Sequence, residues 1–288
     1  MAFPLPPLAA VALLAGLAGP LHASGPAAAA TSAASLAINP LYTALPASLS
    51  SEQVASMQQQ LMDWPQLGRY RDDNARLPAP APGEARVVFF GDSITDAWGR
   101  AEGTRFFPGK PYVNRGIAGQ TTAQMLLRFR QDVIALRPAA VVILAGTNDI
   151  AGNTGLATLP MIEDNLRSMT ELAQANHIRV ILASVLPVSD YPWHPGLRPA
   201  GKVRALNAWI ESCAASSGAT YLDYYDALTN AFGGMDSRLA ADGVHPTPTG
   251  YAIMARLAQQ AVERALATRP PRGTETLHAS PVFPPTGG

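Results

Sequence analysis

Short apolar runs that alternate with longer stretches of helical spacing constrain this chain more than any other feature of its sequence. The runs cover residues 86–90, 112–114, 140–145, 179–183 and 220–222; the helical stretches cover 121–136, 159–175, 202–216 and 249–267. Val87-Val88-Phe89-Phe90 and Val141-Val142-Ile143-Leu144 carry no polar residue at alternate positions, as expected of strands buried on both faces. In the third helical stretch Val203, Leu206, Ile210 and Cys213 recur every three or four residues and form one apolar stripe. A further helix is expected at 51–61, where Ser50 or Ser51 can cap it. Strand and crossover helix in alternation predict an α/β fold: a three-layer α/β/α sandwich around a five-stranded parallel sheet, in one domain spanning 39–268.

The two ends have a different composition. Residues 5–19, LPPLAAVALLAGLAG, have the length of a signal-peptide core and are short for a membrane span. Residues 1–38 therefore read as a leader and low-complexity segment, with export to the periplasm or medium expected and no stable membrane insertion of the mature protein. Residues 269–288 are rich in Pro and Gly without apolar periodicity, so a disordered tail is expected. The chain carries 21 basic and 21 acidic side chains, a formal charge of zero. That balance argues against nucleic acid or an anionic surface as a partner. A single cysteine, Cys213, excludes an intrachain disulfide and a multi-cysteine metal site.

In an open parallel sheet, ligands sit beyond the carboxyl ends of the strands. The polar residues that follow the strands are Gly91-Asp92-Ser93, Asn114 to Thr122, Gly146-Thr147-Asn148-Asp149 and, before the last helix, Asp242-Gly243-Val244-His245-Pro246. Serine is a weak nucleophile unless a base lies within hydrogen-bond reach and a third group orients that base. Ser93, His245 and Asp242 supply such a set, the last two being close enough in sequence to share one turn. His194, in Tyr191-Pro192-Trp193-His194-Pro195, is the rival base. Donors for a developing oxyanion are the backbone N–H of Ser93, the backbone N–H of Gly119 and the side-chain amide of Asn148. Taken singly, each segment is also what a helix cap or a turn needs. Turn chemistry alone does not require all four in this order at successive strand ends.

Together these blocks resemble the GDSL or SGNH hydrolases, a family of serine esterases and lipases that includes lysophospholipase-like and platelet-activating-factor acetylhydrolase-like members. The resemblance rests on Gly91-Asp92-Ser93-Ile94-Thr95, Gly116-Ile117-Ala118-Gly119-Gln120-Thr121-Thr122, Gly146-Thr147-Asn148-Asp149 and Asp242-Gly243-Val244-His245-Pro246, and covers about residues 86–260. Where the second block usually carries two adjacent glycines, Ala118 stands beside Gly119. The resemblance implies a flavodoxin-like sheet, Ser93 as nucleophile, His245 and Asp242 as its partners, Gly119 and Asn148 in the oxyanion hole, and no metal or organic cofactor. It implies a small-molecule or glycan ester as substrate; short acyl chains are expected because the sequence shows no long apolar lid segment. A carbohydrate O-acetyl esterase and a lysophospholipase are the alternatives. The segment 190–199, with Trp193 and His194, is a candidate pocket wall. Two other classes stay open at this point: an inactive module that binds acylated glycans, and a metal phosphoesterase using Asp92, Asp149, Asp242 and His245.

Overall fold

The computed structural model describes residues 49–272; the expected leader at 1–38 and the tail from 273 onward lie outside the described residues. Its elements, in chain order, are α1 (Ser51–Met62), α2 (Arg71–Arg76), β1 (Val87–Gly91), α3 (Ser93–Ala97), β2 (Tyr112–Gly116), α4 (Thr122–Asp132), a 3₁₀ turn (Ile134–Leu136), β3 (Ala140–Leu144), α5 (Thr147–Ala151), α6 (Leu159–Ala175), β4 (Arg179–Ala183), α7 (Ala200–Ser217), β5 (Thr220–Leu222), α8 (Tyr225–Leu228) and α9 (Pro248–Ala267). The five strands form one parallel sheet in the order β2-β1-β3-β4-β5.

The two-residue period of the strands divides the core. Val88, Phe90, Val141, Ile143, Val180 and Leu182 face one layer, where they pack against Met125 and Phe129 of α4, Leu166 and Met169 of α6, and Leu206 and Ile210 of α7. The alternate residues Val87, Phe89, Val142, Leu144, Ile181 and Ala183 face Met254, Ala258, Ala261 and Val262 of α9. All residues of β1 and β3 are buried, as their unbroken apolar runs require.

Caps set the helix starts. The Ser50 hydroxyl accepts from the Gln53 N–H at 3.1 Å while the Gln53 side chain accepts from the Ser50 N–H at 2.9 Å, a capping box for α1. Thr158 and Thr247 cap α6 and α9, each followed by proline in the first turn. Several expected boundaries move, most by one or two residues, and two of the shifts have a clear local cause. The strand expected at 112–114 runs on to Gly116, because Arg115 and Gly116 pair with Phe90 and Gly91. The helix expected at 121–136 stops at Asp132; the β-branched pair Val133-Ile134 continues a helix poorly, and the chain tightens into the 3₁₀ turn and leaves through Arg137 at φ 49°. The short helices α2, α5 and α8 span too few turns to show periodicity in the sequence.

The order 2-1-3-4-5 places a topological switch point between β1 and β3, where the connections leave in opposite directions and a crevice opens at the carboxyl ends. β1 leads into α3 and β3 into α5 on the two sides of that crevice. Two glycines let α3 sit close to the sheet. A Cβ on Gly91 would stand 2.1 Å from the Thr95 hydroxyl oxygen, and one on Gly116 would stand 2.1 Å from the Asp96 nitrogen.

Candidate active site

Ser93 is the first residue of α3, and Asp92 before it caps the helix by accepting from the Ile94 N–H at 3.0 Å. Ser93 is partly exposed, and its Oγ lies 2.9 Å from His245 Nε2. The other ring nitrogen, Nδ1, is 2.6 Å from Asp242 Oδ2. The second carboxylate oxygen of Asp242 accepts from the backbone N–H groups of Val244 and His245 at 2.9 and 2.8 Å, so one side chain shapes its own loop and orients the imidazole. An antiparallel bridge between Ala240 and Pro246 closes that loop. The Tyr251 hydroxyl, in the first turns of α9, donates to the Ile94 carbonyl at 2.8 Å and ties the helix after His245 to the helix that carries Ser93.

Asn148 is buried in α5 on the opposite side of the switch point. Its amide donates to the Gln120 carbonyl at 2.9 Å, and its side-chain oxygen accepts from Asn153 at 2.8 Å. Gly119 is exposed at φ +77°, a left-handed conformation that side chains disfavour. Asp149 accepts from the Thr122 N–H at 2.9 Å and the Thr122 hydroxyl at 2.6 Å, joining α5 to the start of α4. These bonds bring the second and third sequence blocks together although they come from different strands.

The carboxyls around the site are shifted in opposite directions. Partial burial works against ionisation of Asp242, but hydrogen bonds from the His245 ring and from the His245 and Val244 N–H groups outweigh it and hold its pKa below the ordinary value. Asp92 is fully buried, and desolvation pushes its pKa up to about 7 against the lowering effects of the Ile94 N–H and of His245; nearby Asp149 adds to the rise. Burial also raises Asp149 despite its bonds to Thr122. At neutral pH the arrangement keeps an ionised carboxylate against the imidazole and a buried, about half-protonated one at the residue before the serine, a difference set by environment.

The 190–199 segment splits. The Trp193 ring, 40% exposed, lies 6.2 Å from the His245 ring and packs on Tyr191. His194 instead directs Nδ1 to the Ala151 carbonyl at 2.6 Å, at the end of α5. Trp98 is buried among Phe89, Phe107 and Tyr251. Among the described residues, no group of three or more His, Cys, Asp and Glu side chains is placed to hold a metal ion, so Asp92, Asp149, Asp242 and His245 do not converge as a ligand set. A cavity of about 440 Å³ between the 103–110 loop and α9 is lined by Phe107, Lys110 and Tyr251 and does not include Ser93, Asn148 or His245.

Sequence reasoning passed over Arg128. It is fully buried, donates to the carbonyls of Gly91 and Arg115 at 3.0 and 2.9 Å, bonds the Gln120 side chain, and pairs with Asp132 at 3.1 Å. It thereby holds the ends of β1 and β2 and the residue whose carbonyl receives Asn148. Its placement on the same helix face as Met125, with Asp132 four residues on, was the available signal; such i,i+4 pairs are more often solvated.

A family model, the GDSL-like lipase/acylhydrolase family, matches residues 89–253. The acetylxylan esterase of Geobacillus stearothermophilus is 27% identical over 202 residues, 59% of this chain and 90% of that protein. Esterase TesA of Pseudomonas aeruginosa is 32% identical over 138 residues, 46% of this chain and 60% of that protein. The crystal structure of a GDSL-like lipase from Bacteroides thetaiotaomicron superimposes with a TM-score of 0.67 at 45% identity, covering 70% of this chain and 98% of that one.

Proposed function

The chain belongs to the GDSL-like lipase/acylhydrolase family and is a carboxylic ester hydrolase, and from that premise we propose that it works by serine chemistry on short acyl esters, acetyl esters of sugars foremost. The observation that carries the reading is the unbroken line from Ser93 Oγ to His245 Nε2 at 2.9 Å and from His245 Nδ1 to Asp242 at 2.6 Å.

In this reading His245 Nε2 takes the Ser93 proton as Oγ attacks the ester carbonyl, while Asp242 holds the ring through Nδ1–H and stabilises its positive charge. The oxyanion is met by the Ser93 and Gly119 N–H groups and by the Asn148 amide. The alcohol leaves with the proton from His245, and water, activated in the same way, releases the acid from the acyl-enzyme. His194, bonded to Ala151, is not used. Trp193 offers an apolar platform beside His245 for the leaving group, which suits a sugar ring, and the similarity to an acetylxylan esterase supports that choice.

The test is turnover of aryl esters of graded acyl length and of acetylated xylan by the wild-type protein and Ser93→Ala. We expect acetyl esters to be preferred, Ser93→Ala to be inactive, and a fluorophosphonate probe to label only the wild type. Activity retained by Ser93→Ala overturns the serine mechanism; preference for chains of about twelve carbons or more overturns the substrate class. We also read the protein as exported, on the apolar run at 5–19. Retention of the expressed protein in the cytoplasmic fraction, with its N-terminus intact, would refute this.

A further inference from the structure

Asn148 can serve an oxyanion only if its NH₂ end, not its carbonyl end, faces the crevice. The two ends of an asparagine amide have nearly the same shape, so neighbours decide which way it points. We infer that Asn153 is the positioning residue that makes this choice, and that Trp193 in turn sets Asn153; the inference rests on the proposed role of Asn148.

The chain of hydrogen bonds has one polarity. An indole N–H can only donate, and Trp193 Nε1 lies 3.1 Å from Asn153 Oδ1. The carbonyl end of Asn153 therefore faces Trp193, and its NH₂ end faces Asn148 Oδ1 at 2.8 Å and the Gly119 carbonyl at 3.4 Å. With its oxygen engaged by Asn153, Asn148 turns its NH₂ the other way. One N–H meets the Gln120 carbonyl at 2.9 Å, and the second takes no protein partner among the described residues. The Asn153 backbone N–H also bonds the Asn148 carbonyl at 3.0 Å, so the two residues are held together by main chain and side chain alike. Asn153 thus touches both proposed oxyanion donors outside Ser93 and joins them to the loop that carries the exposed indole.

The experiment measures kcat and KM on an aryl acetate for Asn148→Ala, Asn153→Asp, Asn153→Leu and the double variants with Asn148→Ala, with a thermal melt for each. Asn153→Asp is close in shape and still accepts from Trp193, but it offers Asn148 only acceptors and so draws the NH₂ end away from the crevice. We expect kcat to fall about 10- to 100-fold with KM within about twofold, and Asn148→Ala to lose about 10²-fold or more. In the Asn148→Ala background either change at Asn153 costs no more than about twofold, because no amide remains to be oriented. A negative charge acting through space, or general loosening, would slow that background as well. Asn153→Asp with wild-type kcat, or losses that multiply with that of Asn148→Ala, overturns the inference while leaving the role of Asn148 intact. Wild-type kcat in Asn148→Ala overturns both.

Discussion

Asp92 precedes the proposed nucleophile, and its burial has a consequence for stability. Its pKa of about 7 in the folded chain exceeds the ordinary 3.8, so between those values the folded protein holds a proton that the unfolded chain releases. Stability contributed by this group is fully present only below the unfolded value of 3.8, declines as pH rises towards 7 and is level above, a change of up to about 4 kcal/mol. Asp242 acts oppositely: its depressed pKa stabilises the fold above the unfolded value and that contribution is lost as pH falls. Asp92→Asn keeps an acceptor for the Ile94 N–H and removes the titration. Urea unfolding from pH 4 to 8 should show the variant gaining on the wild type as pH rises; parallel profiles would mean that Asp92 does not titrate in this range. The residue types were legible in sequence, but burial was not: Asp92 and Asp242 are both aspartates in turns, and only packing separates them.

At the scale of elements, the ends of β1 and β2 are joined to α4 by one guanidinium. Arg128 lies over the Phe90 ring at 4.1 Å and bonds two strand-end carbonyls as well as Asp132, with both charged side chains fully buried. Desolvation lowers its pKa to about 10 against the pull of Asp132, so it stays charged at neutral pH. Removing one partner of such a pair leaves the other charge uncompensated, and Arg128→Met should cost about 3–5 kcal/mol in urea unfolding. Arg128→Met with Asp132→Leu should recover part of the loss. A single variant within about 1 kcal/mol of the wild type would show the pair to be unimportant. The long elements were readable because apolar residues repeat over several turns or fill whole strands. α5, which carries Asn148, was not, since five residues give no period and every one of them is buried by tertiary contact.

For the whole molecule, balanced charge limits long-range electrostatic steering. With 21 acidic and 21 basic side chains, kcat/KM on an acetate ester that carries one charge should change by less than about twofold between 10 and 150 mM salt. A steep fall with salt would mean that a local charged patch guides the substrate. Among the described residues, no helix is long and apolar enough to cross a membrane.

The sequence alone determined the layered α/β architecture, the parallel sheet and the four blocks that hold the site, because periodicity and turn chemistry are local properties of the chain. It also carried Ser93, Asn148, Asp242 and His245 as candidates, since their residue types limit what chemistry they can do. Tertiary structure decided the rest: which histidine meets Ser93, why the pKa values of Asp92 and Asp242 are displaced in opposite directions, and how Trp193 and Asn153 reach Asn148 from separate loops. Those outcomes depend on distances between residues far apart in sequence and on exclusion of water, and neither is written in the local pattern.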